Sequence, residues 1–206
     1  MSSAVLLASR NTKKLAELRR ILEPVVPDVR VLGLSDVAQY DEPAETEPTF
    51  EGNALLKARA AVTATGLASL ADDSGICVDA LNGMPGVLSA RWSGNAAGPD
   101  KDKDNNTLLL AQLSDVPDDR RGAEFRCAIA LVMPGGEEHV EIGVMRGRVL
   151  RTTVGDGGFG YDPLFAADGY DVSTAQLSVA DKDAISHRGK ALRSIAPLVA
   201  EVLGRQ

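Results

Sequence analysis

Val5-Leu6-Leu7-Ala8-Ser9-Arg10-Asn11-Thr12-Lys13-Lys14-Leu15-Ala16-Glu17-Leu18-Arg19-Arg20-Ile21-Leu22 changes its hydrophobic period part-way along, and that change sets the fold class. Val5–Ala8 is a short apolar run of the length of a buried strand. From Thr12 the apolar positions Leu15, Leu18 and Leu22 recur at helical spacing, and Pro24 and Pro27 end the helix. Strand and helix are joined by a short polar loop.

Further along, Val29, Val31 and Leu32 suggest a second strand. Asp41–Pro48, with four carboxylates and two prolines, reads as a loop. Thr49 is placed to cap a helix through Ala54, Leu55, Ala58, Ala61 and Val62, ending at Gly66. Ala68–Ala71 reads as a buried strand that stops at Asp72-Asp73-Ser74-Gly75, with a separate strand over Ile76–Ala80. Asn82–Gly98 is glycine-rich and irregular, and Asp102–Leu113 is helical. Phe125–Met133 and Val140–Leu150 flank Pro134-Gly135-Gly136 as an antiparallel pair. The last helix covers Lys190–Leu203, with Leu192, Ile195, Leu198, Val199 and Val202 inward. The hairpin breaks strict strand–helix alternation, so the expectation is an α/β fold with a mixed sheet.

Bulk properties exclude several classes. The 206 residues carry 44% hydrophobic and 25% charged residues, an ordinary globular composition that can bury a core unaided. No run approaches the roughly 20 apolar residues of a membrane span. Met1-Ser2-Ser3 supplies no basic n-region, so no signal peptide is expected. A net charge of −7 argues against broad nucleic-acid binding, but not against a small phosphorylated ligand. Cys77 and Cys127 read as buried free thiols of a reducing cytosol, and two histidines with two separated cysteines make no zinc site.

Four segments could carry chemistry. Ser9-Arg10-Asn11-Thr12-Lys13-Lys14 sits at a helix start, where free N–H groups and the dipole suit phosphate; the plainer reading is a capped helix with solvated lysines. It is not a P-loop, since the required glycine–lysine spacing is absent. Asp72-Asp73-Ser74-Gly75 places adjacent, mutually repelling carboxylates among apolar neighbours, a donor set that suits Mg²⁺; otherwise it is an acidic turn. Glu45, Glu47 and Glu51 are candidates for a further metal carboxylate. Gly155-Asp156-Gly157-Gly158-Phe159-Gly160-Tyr161-Asp162-Pro163 matches a dinucleotide fingerprint literally, but Pro163 forbids the helix that motif needs. Four of the chain's eight aromatics, Phe159, Tyr161, Phe165 and Tyr170, fall here within twelve residues. Such rings can stack on a base or pack into the core. Lys182-Asp183-Ala184-Ile185-Ser186-His187-Arg188-Gly189-Lys190 offers donors near the last helix, or merely a cap and a solvated charged face.

Taken in order, Ala8-Ser9-Arg10-Asn11 with Lys14, Thr49-Phe50-Glu51-Gly52-Asn53-Ala54 and Ala71-Asp72-Asp73-Ser74-Gly75 form the first half of a pattern. Ala90-Arg91-Trp92-Ser93-Gly94, Gly157-Gly158-Phe159-Gly160-Tyr161-Asp162-Pro163 and Ile185-Ser186-His187-Arg188-Gly189-Lys190 form the second. Together they resemble the inosine/xanthosine triphosphate pyrophosphatases, which remove non-standard purine nucleotides, from Leu6 to about Leu192. The resemblance implies an elongated mixed sheet flanked by helices: one domain over 1–206, with two lobes and a cleft between them. It implies a homodimer; the cysteines, charge and hydropathy add the expectation of a cytoplasmic protein with no nucleic-acid or membrane partner.

It also implies Mg²⁺-dependent hydrolysis of the α–β phosphoanhydride of inosine, deoxyinosine and xanthosine triphosphates, releasing the monophosphate and pyrophosphate. Ser9, Arg10, Asn11, Thr12, Lys13 and Lys14 would hold the triphosphate. Glu45 and Asp73 would bind the metal, with Asp73 also proton acceptor, and Ser74 would touch substrate. Phe159, Gly160, Tyr161, Asp162, Lys182, His187 and Arg188 would line the base pocket, donors there meeting a 6-keto oxygen. Arg10 stands where many relatives carry glycine. Rival readings are a Maf-like pyrophosphatase, a nucleotide-binding regulatory module, and an oxidoreductase resting on the false glycine match.

Overall fold

The computed structural model describes residues 4–25, 29–94 and 98–204. The readings that touch Met1–Ser3, Pro27 and Asn95–Ala97 lie outside them, as does the Leu18 side chain. Strands β1 (Ala4–Leu7), β2 (Arg30–Leu32), β3 (Ala68–Val78), β4 (Gly122–Val132), β5 (Glu138–Val149) and β6 (Phe165–Ala167) form one sheet in the order β2-β1-β3-β4-β5-β6. β1 runs parallel to β2 and β3, whereas β6 is antiparallel to β5, so the sheet is mixed as expected. β4 and β5 are neighbours joined by a tight turn closed by Gly136 N–H on the Met133 carbonyl.

The helices are α1 (Thr12–Leu22), α2 (Phe50–Thr65), α3 (Lys101–Gln112), α4 (Val179–Ile185) and α5 (His187–Gly204). Among the described residues none is long and apolar enough to cross a membrane. Local chemistry explains their ends. Thr49 Oγ1 accepts from Gly52 N–H at 3.0 Å to start α2, and Gly66 ends it in the left-handed region at φ 68°.

The chain divides into two compact units. The first comprises residues 1–73, 127–143 and 187–206. Its core packs Val5, Leu7, Leu70, Ile129 and Leu131 of the sheet with Leu22 of α1 and Leu192, Ile195 and Val199 of α5. The second comprises residues 74–126 and 144–186. Its core gathers Ile76, Val78, Phe125, Val149, Leu164 and Phe165 with Leu109 of α3 and the neighbouring Leu113.

Two elements depart from the reading of the sequence. β3 does not stop at Asp72; it continues through Asp72-Asp73-Ser74-Gly75 to Val78 as one strand of 11 residues. The tetrapeptide has turn composition, but Lys14 binds Asp72 and Asn53 binds Asp73, so both carboxylates find partners without turning toward solvent. Lys182, read as preceding the last helix, lies within α4, capped by Ser178 Oγ accepting from Asp181 N–H at 3.1 Å.

Candidate active site

The loop between β1 and α1 is built by its own side chains. Asn11 caps α1, its Oδ1 accepting from Lys13 N–H at 3.1 Å and Lys14 N–H at 3.2 Å. Ser9 Oγ in turn accepts from Asn11 N–H at 3.3 Å. The cap and the proposed phosphate loop are thus the same residues. Arg10, Thr12 and Lys13 are exposed, and Arg10 forms an ion pair with Glu42 of the acidic loop. Lys14, one turn into the helix, points its ammonium at Asp72 Oδ2, 2.9 Å away.

Asp72 is the hub of a buried charge network in the first unit. Besides Lys14 it receives Arg188 Nε at 3.3 Å, and Arg188 Nη1 reaches Glu17 Oε2 at 2.5 Å. Arg188 is 2% exposed and Glu17 7%, so these groups stabilise one another away from solvent, where an unmatched charge would be costly. Burial pushes the Asp72 carboxyl up, but Lys14, Arg188 and Lys57 outweigh it and hold it well below the usual carboxylate range.

Asp73, its neighbour on β3, behaves oppositely. It accepts from Asn53 Nδ2 at 2.9 Å. Burial raises its pKa, Lys57 opposes this, and Glu45 raises it further, with a net upward displacement. Lys57 binds Glu45 Oε1 at 2.6 Å, and although burial lowers its pKa, Asp72, Glu45 and Asp73 together raise it. Two adjacent residues of one strand therefore differ in chemistry: Asp72 is held well below the usual carboxylate range, while Asp73 is displaced above it.

In the second unit the aromatic loop is pinned residue by residue. Asp162, 4% exposed, accepts Phe159 N–H at 2.8 Å and Lys182 Nζ at 2.5 Å on Oδ2, and Thr174 Oγ1 at 3.0 Å on Oδ1. Lys182 Nζ also stands 5.3 Å from the Phe159 ring centroid. The four aromatics separate into two kinds. Tyr161 is buried with its hydroxyl on the Ser89 carbonyl at 2.8 Å, Phe165 packs edge-on against Phe125, and Tyr170 packs against the same core. Phe159 is half-buried and keeps surface for a ligand.

The structure thus gathers Lys14, Asp72, Asp73, Glu45 and Arg188 within the first unit, and Phe159–Asp162 with Lys182 within the second. His187 opens α5 in the first unit and is 7% exposed. Ser74 is half-buried on β3. Three residues of the network carried no assigned role in the sequence: Glu17, Asn53 and Lys57. Spacing could have found two of them, because Asn53 and Lys57 are four apart on one face of α2, below the Thr49 cap. Chemically, the first unit offers a helix start, cations and hard carboxylate oxygens, a donor set for a phosphorylated ligand with a divalent cation.

The Ham1 family model matches residues 5–198. The chain belongs to the Ham1 family. This Ham1-family chain is 61% identical over 202 residues to the dITP/XTP pyrophosphatase of Nocardia farcinica, covering 98% of this chain and 97% of that protein. It is 53% identical to the dITP/XTP pyrophosphatase of Corynebacterium efficiens, covering 98% and 99%. Among solved structures it resembles the Mycobacterium abscessus nucleoside-triphosphatase / dITP/XTP pyrophosphatase, with 55% identity, TM-score 0.77 and coverage of 94% and 99%. It also resembles a HAM1 protein from Coxiella burnetii at 36% identity and TM-score 0.86, covering 97% and 99%.

Proposed function

We propose that this chain hydrolyses deoxyinosine, inosine and xanthosine triphosphates at the α–β phosphoanhydride, giving the nucleoside monophosphate and pyrophosphate. The observation that carries this reading is the Asp72–Asp73 pair on β3, one carboxylate bound to Lys14 and the other to the Asn53 amide, close to Glu45 and Lys57. The names of its full-length relatives support the substrate class.

In this reading Lys14 and the start of α1 hold the phosphates, with Ser9, Arg10, Asn11, Thr12 and Lys13 shaping the loop. Asp73 orients or deprotonates the attacking water, with Ser74 beside it. Lys57, bound to Glu45, adds positive charge close to both aspartates. Arg188, held by Glu17, keeps Asp72 ionised and in place. Phe159 offers a ring face to a purine, and Lys182 a donor beside it. His187 is a further donor for a 6-keto oxygen, which an adenine amino group could not satisfy.

Magnesium fits the donors present. Asp73 and Glu45 are hard oxygen ligands close enough for each charge to disfavour the other, and a divalent cation would relieve that repulsion. When bound, it would neutralise phosphate charge. We further propose a cytoplasmic homodimer. The family resemblance supports the dimer, and two free cysteines fit a reducing compartment.

The test is pyrophosphate release from inosine, xanthosine, adenosine and guanosine triphosphates, with Mg²⁺ and with chelator, beside Asp73→Asn. Turnover of the first two, abolished by chelator and in the variant, is expected. Equal turnover of all four would keep the reaction and refute the selectivity, whereas nucleotide binding without turnover would leave a regulatory module. Independently, Mg²⁺ should raise the melting temperature of the parent and not of Asp73→Asn.

A further inference from the structure

α3 grips the aromatic loop at a single residue from both sides. Asp102 Oδ2 accepts from the Gly160 N–H at 2.7 Å, and Asn106 Nδ2 donates to the Gly160 carbonyl at 3.1 Å. The two side chains are four apart, one turn of the same helix, so a rigid element spaces the acceptor and the donor. Gly160 itself lies in the left-handed region at φ 63°, where it can turn so that its two peptide groups meet one helix face. Asn106 is 6% exposed, and its Oδ1 has no hydrogen-bond partner among the described residues. An amide held this far from water with one end unused has been placed for the other end.

The rest of the loop is fixed by other means. Asp162 takes the Phe159 N–H, and Ser89 takes the Tyr161 hydroxyl. The neighbouring Asn105 extends the same anchorage, accepting Ser93 N–H at 2.8 Å and donating to the Ser89 carbonyl at 3.3 Å. Gly160 is the one position between Phe159 and Tyr161, so the direction of its peptide planes sets where the Phe159 ring stands relative to the buried Tyr161.

We propose that Asp102 and Asn106 are positioning residues that fix the Phe159 ring for the purine by clamping the Gly160 peptide groups. The inference rests on the nucleotide reading above and deepens it: a residue pair on α3, touching no substrate, sets how well the base is held. Ring placement governs stacking, which acts on substrate affinity. The chemistry at Asp73 is left to other residues, so the effect falls on KM more than on kcat.

The experiment is steady-state pyrophosphate release from inosine triphosphate by the parent and by Asp102→Ala, Asp102→Asn and Asn106→Asp, with thermal unfolding of each. Asp102→Ala removes the acceptor and should raise KM by about 10-fold or more, the scale of one hydrogen bond to a charged group, with a smaller change in kcat. Asp102→Asn keeps an oxygen for the Gly160 N–H and should stay within about 3-fold of the parent. Asn106→Asp sets a carboxylate against the Gly160 carbonyl and should raise KM like Asp102→Ala. If Asp102→Ala fails to fold, the contrast of Asp102→Asn with Asn106→Asp makes the same comparison. An active parent whose variants share its KM would overturn the clamp alone, as would equal impairment of Asp102→Ala and Asp102→Asn. A parent that neither turns over nor binds the nucleotide would overturn the functional reading and the clamp with it.

Discussion

Asp72 and Asp73 are identical side chains on adjacent residues, and their surroundings drive them apart. Burial acts on both, but at Asp72 it is outweighed by Lys14 and Arg188, whereas at Asp73 burial and the repulsion of Glu45 outweigh Lys57 and the Asn53 amide. A folded pKa well below the ordinary carboxylate value means that ionised Asp72 stabilises the fold above that ordinary value. That contribution is lost as pH falls toward the lower, folded pKa. Urea unfolding between about pH 5 and about pH 2 should therefore show an acid loss of stability that Asp72→Asn flattens. Asp73 has the opposite sign: its raised folded pKa means that ionisation above the ordinary carboxylate range costs stability. In chelator at neutral pH Asp73→Asn should melt above the parent, and in Mg²⁺ it should lose about 10²-fold or more in turnover, the share that a general base supplies. A variant that melts lower would show that its charge is compensated after all.

At the scale of elements, backbone approach rather than charge sets the limits. Gly143 of β5 lies against the start of α5, and a Cβ there would overlap the backbone of His187 and Ala191. Gly143→Ala should cost about 1–3 kcal/mol, because α5 must shift to admit one methyl group. Gly135, in the turn before β5, has open space among the described residues where a Cβ would stand, so Gly135→Ala should leave the urea midpoint nearly unchanged. Since α5 also carries Arg188, its displacement should weaken pyrophosphate release in Gly143→Ala but not in Gly135→Ala. Equal midpoints for the two variants would refute the packing argument.

At the scale of the whole molecule, each unit has its own apolar core and one cysteine: Cys127 is buried as expected, but Cys77 is only half-buried. Burial pushes the Cys127 thiol up to about 12 and the Cys77 thiol up to about 11, so neither supplies appreciable thiolate at neutral pH. A thiol reagent near neutral pH should reach Cys127 only after denaturation and modify half-buried Cys77 slowly in the native protein. Rapid labelling of Cys127 in native protein would contradict its burial.

Much of this was written in the chain order. Period and caps locate α1, α2, α3 and the β4–β5 hairpin, because those signals act between residues a few positions apart. Six short motifs in sequence resemble the family that the comparisons then establish. The sequence alone could not make Asp72-Asp73-Ser74-Gly75 strand rather than turn. Lys14 and Arg188 hold Asp72, and Asn53 binds Asp73, from positions 20 to 116 residues distant, and only folding brings them there. Nor could it separate Phe159 from Tyr161, Phe165 and Tyr170, since ring exposure depends on which side chains arrive to cover it. Local pattern fixed the elements. Burial and long-range charge pairing, which no local window contains, decided what each residue is for.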